Sequence, residues 1–110
     1  MKIHLIYITT VSKDEAVMIG KALINARLAA CVNIIENMYS MYMWDGKLMD
    51  DKETILIAKT TKACVSGLIE KVKALHSYEC PCIVSLTVSD GNPKFLNWVV
   101  NEVQHRSASI

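Results

Sequence analysis

Residues 30–61 read ACVNIIENMYSMYMW, then Asp45-Gly46, then KLMDDKETILIAKTT. Both runs are rich in β formers, and the dipeptide between them marks a tight turn because glycine readily takes φ > 0. The stretch therefore reads as a β-hairpin. Each arm has about 14 residues, against ~5 or 6 for an ordinary strand. At ~3.3 Å per residue an arm reaches roughly 45 Å, while a compact chain of this size has a diameter of roughly 35 Å. Unless a bulge folds the ribbon back, its tip projects beyond its own domain. That tip is apolar on both strand faces, through Met38, Tyr39, Met41, Tyr42, Met43 and Trp44. An isolated ribbon of this kind is both an open edge and an exposed patch. Pairing with another copy removes both, whereas a bend that buries the patch on the chain's own helices is the alternative. The expectation is a homo-oligomer held by sheet extension.

Upstream, KIHLIYITTV (residues 2–11) is β-branched and nearly continuously apolar, as suits a central strand covered on both faces. Ser12 and Glu15 match a capping box, and Ala16, Ile19, Leu23, Ala26 and Ala30 continue at helical spacing, which predicts a helix to about residue 29. Downstream, TKACVSGLIEKVKALH predicts a second helix with Val65, Leu68, Val72 and Leu75 on one stripe, and CIVSLTV predicts a fourth strand. Asp90-Gly91 makes a turn. Asn92 caps a last helix that begins at Pro93, with Phe95, Leu96, Val99, Val100 and Val103 apolar. The order is βαββαβ plus a terminal helix. With right-handed crossovers it becomes an α+β ferredoxin-like sandwich, an antiparallel sheet with two helices on one face. Residues 1–110 form one domain, and the tail from about residue 105 to 110 is expected to fray.

With 110 residues the chain buries enough surface to fold without a staple. Hydrophobic residues make up 52%, above the soluble average, and a subunit interface is one place for the excess. A net charge of +1 offers no basic stripe for nucleic acid or for an anionic membrane. No apolar run approaches a membrane span. The first residues lack the cleavage pattern of a signal peptide, which favours a cytoplasmic location and free thiols for Cys31, Cys64, Cys80 and Cys82.

Residues 76–82, HSYECPC, hold the makings of a metal site. On a strand, Cys80 and Cys82 would present two sulfurs to one face. With His76 they would suit Cu(I) or zinc. Equally, free cysteine is a common small hydrophobe in cores, and His76 is placed to complement a helix C-terminus. Cys31 and Cys64 read first as packing residues. No GxSxG, P-loop, HExxH or paired-carboxylate pattern occurs, so an enzyme is not expected.

Taken in order, ARLAACVNI, SMYMWDGKL, the glutamate before ILIAKTT, and HSYECPCIVSLTV ahead of FLNWV resemble the CutA family of divalent-cation tolerance proteins. The resemblance covers nearly the whole chain. It implies a tight homotrimer built through the long hairpins, an architecture like that of PII signalling proteins, and binding of copper or another divalent cation without an organic cofactor. By position it implies a metal role for Cys31 and His76. It also implies a cleft between subunits lined by Tyr42, Trp44, Glu53, Lys59 and Tyr78. In that cleft Lys59 would serve as the cationic group for a small anion or polar ligand, while Tyr42 and Trp44 read first as interface anchors. The chain departs from the family at His76-Ser77, where His-Pro is usual, and at Pro81-Cys82, where Pro-Glu is usual. Ile8 replaces a cysteine that some members carry. Two functions stay open: a trimeric metal-ion-binding protein for metal tolerance, and a PII-like sensor or scaffold whose clefts bind a small molecule or partner.

Overall fold

The computed structural model describes residues 2–108, with side chains through residue 104. Its elements are β1 (Ile3–Thr10), α1 (Lys13–Asn25), β2 (Cys31–Trp44), β3 (Lys47–Thr61), α2 (Val65–Leu75, entered through a single 3-10 turn at Lys62–Cys64), β4 (Ile83–Val88) and α3 (Pro93–Ala108). The strands form one antiparallel sheet in the order β2-β3-β1-β4, the ferredoxin-like arrangement. Helices α1 and α2 pack on one face. Their core joins Ile19, Leu23, Leu68 and Val72 to Ile6, Ile8, Leu56 and Ala58, all fully buried.

Alternation along the strands puts Ile3, Leu5, Tyr7 and Thr9 on the opposite face, with Val84, Leu86 and Val88 across from them on β4. Helix α3 covers one end of that face. Ile3 is buried although it lies outside the main core. Together with Val88 it borders Leu96 and Val100, and Lys59 extends over the Phe95 ring. The remainder of the face carries no helix.

Both ends of α1 show how local chemistry sets the boundaries. The Ser12 hydroxyl accepts from the Glu15 N–H at 3.1 Å. At the other end the helix stops four residues earlier than its apolar spacing predicts. Arg27 takes φ 58°, its N–H donates to the Ile24 carbonyl, and the Leu28 N–H donates to the Leu23 carbonyl, which is a Schellman motif. The usual stop signal is glycine at that left-handed position. Here it is arginine, so Ala26 and Ala30 prolonged the apparent stripe. Helix α3 starts as expected, with Asn92 Oδ1 accepting from the Lys94 N–H, and its backbone stays helical to Ala108. Residues 109–110 lie outside the described residues.

The hairpin has arms of 14 and 15 residues and turns at Asp45 and Gly46, both at positive φ. It draws the molecule out to 48 × 29 × 21 Å. One irregularity interrupts its ladder: Ile35 pairs with Ile55 but Met38 pairs with Glu53. Glu36 and Asn37 thus oppose the single residue Thr54, a β-bulge, and Asn37 adopts φ 63°. The extra residue reverses the facing of everything beyond it. Cys31, Asn33 and Ile35 share the face of Tyr7, and beyond the bulge Met38, Tyr42 and Trp44 do so.

A second device ties α1 to the segment between α2 and β4. Glu15 is 7% exposed. Its Oε1 accepts from the Val11 N–H at 2.9 Å, and its Oε2 from the Ser77 N–H at 2.8 Å. Burial pushes its pKa up, but the bonds from Ser77 and Val11 and the neighbouring His76 outweigh it and leave the pKa below 4.5. The segment that follows α2 is therefore fixed from its first residues.

Two outcomes are expected in urea unfolding at fixed protein concentration. Asn37→Gly is near neutral, whereas Asn37→Val destabilises by about 1–2 kcal/mol, because a β-branched residue is strained in the left-handed region. Glu15→Ala leaves two amides unpaired and costs about 2–3 kcal/mol at pH 7. The folded pKa of Glu15 lies below its unfolded value, so its contribution is complete above pH 4.5 and is lost as pH falls through the folded pKa. The gap between wild type and variant narrows on acidification; a gap that widens overturns the assignment.

Candidate functional site

On the face without helices, where the hairpin leaves the body, the chain forms a cleft of about 440 Å³. Tyr42, Trp44, Met49 and Glu53 of the hairpin make one wall. Tyr78, Glu79, Cys80 and Cys82, from the segment before β4, make the other, and Thr9 of β1 forms the floor. The bulge accounts for the first wall, because without it Tyr42 and Trp44 would face away from Glu53. The Glu15–Ser77 bond accounts for the second.

Phenols hold the carboxylates in place. The Tyr78 hydroxyl donates to Glu53 Oε2 at 2.9 Å, and the Tyr42 hydroxyl donates to Asp51 Oδ2 at 2.7 Å. Burial first, and then the hydrogen bond and charge of Glu53, push the Tyr78 pKa well above that of an ordinary phenol. The bond to Asp51 raises that of Tyr42. Both remain protonated donors at any physiological pH. Beneath them the Tyr7 hydroxyl donates to the Met38 sulfur at 3.2 Å, which anchors the bulged strand to β1. Burial first, and then the neighbouring Cys82 and Glu53 side chains, raise the Tyr7 pKa as well.

The expected metal set is not brought together. The side chain of His76 is fully buried. Its Nε2 lies 2.7 Å from the Thr9 carbonyl and its Nδ1 accepts from the Tyr78 N–H at 3.0 Å. That assigns the Nε2–H tautomer and leaves neither nitrogen with a lone pair for an ion. Cys31 pairs with Lys59, six residues along β3 from Glu53, hence roughly 20 Å from the cleft. Cys80 and Cys82 do line the cleft and are exposed, so they are not core residues of their own chain. They also precede β4 rather than lying on it, and the same-face argument for a strand pair does not apply. Cys64 is bound locally, its thiol directed at the Arg27 carbonyl. Among the described residues no three His, Cys, Asp or Glu side chains converge on one point.

Of the residues expected in a cleft between subunits, Tyr42, Trp44, Glu53 and Tyr78 line this cleft within one chain and Lys59 does not. The Lys59 ammonium donates to Asn33 Oδ1 at 2.6 Å and overlies Phe95. Lys59 lies on the same face of β3 as Glu53, six residues away, at its far end. Thr9 and Met49 were missed. The only available signal for them was register, and Asn37, a residue tolerant of positive φ within a β run, was the one hint that the register slips.

A model of the CutA1 divalent ion tolerance protein family matches residues 4–102. A divalent-cation tolerance protein CutA of Thermus thermophilus is 44% identical over 87% of this chain and 93% of its own length. The chloroplastic protein CutA 1 of rice is 37% identical over 90% of this chain, which spans only 56% of that longer relative. The structure of a protein described as the periplasmic divalent cation tolerance protein CutA of Archaeoglobus fulgidus superposes with a TM-score of 0.89 at 39% identity, over 92% of this chain and 98% of that one. These relatives overturn the expectation of a cytoplasmic location. The same domain is found in proteins described as periplasmic and chloroplastic. No helix of the described residues is long and apolar enough to cross a membrane. By sequence, fold and extent of match, the chain belongs to the CutA1 divalent ion tolerance protein family.

Proposed function

We propose that the chain works as a homotrimer that binds copper or another divalent cation and contributes to metal tolerance, taking the ion in the cleft rather than at His76. The observation that carries this reading is the donor set. Cys80, Cys82, Glu53 and Glu79 line the cleft together with the Met49 thioether, and none of the lining residues is a lysine or arginine. Thiolate and thioether favour a soft ion such as Cu(I), and carboxylates extend the range to harder divalent ions. Cys82 supplies a soft donor at a position where family members usually carry glutamate. Because no three such side chains converge among the described residues, a neighbouring copy completes the ligand set in this reading.

The surface supports the assembly. Ile35, Val84 and Leu86 are about half exposed on the face of Tyr7, and Met41, Met43 and Leu48 are more exposed on the other face of the ribbon. β2 forms one edge of the sheet along all of its 14 residues. A second ribbon laid along that edge satisfies its backbone groups and covers the apolar side chains at once. Three copies is the number implied by the family resemblance, and a closed ring leaves no edge open.

Light scattering of the purified protein is expected to give about three times the 12.3 kDa chain mass; a mass near 12 kDa overturns the assembly. In an anaerobic Cu(I) titration against a competing chelator, the Cys80→Ser/Cys82→Ser protein is expected to lose at least about tenfold in affinity, or ~1.4 kcal/mol. Cys31→Ser is expected to bind as wild type. Equal affinity in the double variant would remove the cleft as the site.

A further inference from the structure

The cleft is far larger than an ion requires. A metal with its ligand shell fills a small part of 440 Å³, a volume within the range of organic-ligand sites, about 300–1,000 Å³. Its walls also carry groups that a metal does not use. Trp44, Tyr42 and Tyr78 put three aromatic rings around the space. Trp44 is 56% exposed, on a ribbon whose other apolar groups have a proposed partner.

The polarity of the walls selects the ligand. Glu53 and Glu79 bring negative charge. The nearest expected cation, Lys59, is committed to Asn33 and Phe95 at the other end of the sheet. An anion would therefore meet two carboxylates with no counter-charge, whereas a cation would meet carboxylates and the faces of aromatic rings. Glu53 is already oriented, because the Tyr78 hydroxyl binds its Oε2. The ring of Tyr78 is oriented from behind, since its backbone N–H is bound to the buried His76. Pre-set rings with a fixed carboxylate beside them recognise an ammonium group with little ordering cost on binding.

We propose that the cleft binds a small organic cation, an amine or quaternary ammonium compound with an apolar body, between Trp44, Tyr42, Tyr78 and the Glu53 carboxylate. This inference goes beyond the metal reading: it shares Glu53 with the donor set but draws on the aromatic wall rather than on the sulfur atoms.

Calorimetric titration of the oligomer in chelator-containing buffer tests it, with choline and agmatine as probes. 3,3-Dimethylbutan-1-ol serves as the uncharged isostere of choline. At least one of the two cations is expected to saturate with 1:1 stoichiometry per chain. The alcohol is expected to bind at least about tenfold more weakly than choline, as loss of a partly desolvated cation–π contact predicts. Trp44→Ala and Glu53→Gln are each expected to weaken the bound cation by about the same factor. Trp44→Phe, which keeps a ring, is expected to restore most of the loss. Absence of saturation by both cations, equal binding of choline and the alcohol, or a Trp44→Ala protein with wild-type affinity overturns the proposal. Because metal is excluded throughout, failure here leaves the Cu(I) titration unaffected, and failure there leaves this one unaffected.

Discussion

One added residue at Glu36–Asn37 decides which way the outer hairpin faces. Side chains alternate along a strand, so a slip of one residue exchanges the whole set between the two sides of the sheet. Met38, Tyr42 and Trp44 turn toward Glu53 and Tyr7 only because two residues of β2 oppose Thr54. Take the bulge away and Tyr39, Met41 and Met43 would occupy that side instead. The Tyr7–Met38 and Tyr42–Asp51 contacts would then have no geometry in which to form. The left-handed Asn37 is an unfavourable local conformation by itself, and those contacts just beyond the bulge offset it.

Against that constraint the rest of the fold was largely readable. Apolar spacing, the Ser12 and Asn92 caps, Pro93 and the Asp45-Gly46 turn are local signals, and each was found at its element. Strand length alone indicated that the hairpin would extend past the body, and the 48 Å long axis agrees. The readings of the site depended on non-local facts. Lys59 and Glu53 do share a face, but alternation says nothing about which end of the face carries the cleft. His76 had the residue type and position of a ligand, yet only the folded chain shows the Thr9 carbonyl and the Tyr78 amide taking up both ring nitrogens. Cys80 and Cys82 were weighed as packing residues or as a strand pair, and they are exposed residues on an irregular segment ahead of β4.

The second wall shows how an irregular segment is made rigid without secondary structure of its own. Glu15 reaches across from α1 to the Ser77 amide, His76 bridges β1 and Tyr78, and Tyr78 closes onto Glu53 of β3. Four elements meet through a run of buried and part-buried hydrogen bonds, and breaking one leaves its partner unpaired at a cost. The cleft thus has one wall fixed by the register of a ribbon and the other by a chain of hydrogen bonds.

The strand order has a consequence for how the chain reaches this state. β2 and β3 are neighbours in sequence as well as in space, so the hairpin closes from its own turn without waiting for other elements. β1 pairs on one side with β3 and on the other with β4, where Ile3 meets Val88. During synthesis the first strand made is the one whose second partner emerges last. Until residue 88 has left the ribosome, the centre of the finished sheet is a temporary edge, lined by Leu5 and Tyr7 and open to any other strand nearby. Copies of the chain that lie close together at that stage are exposed to mispairing, and quick docking of α1 and α2 onto the already paired β1–β3 unit shortens the interval.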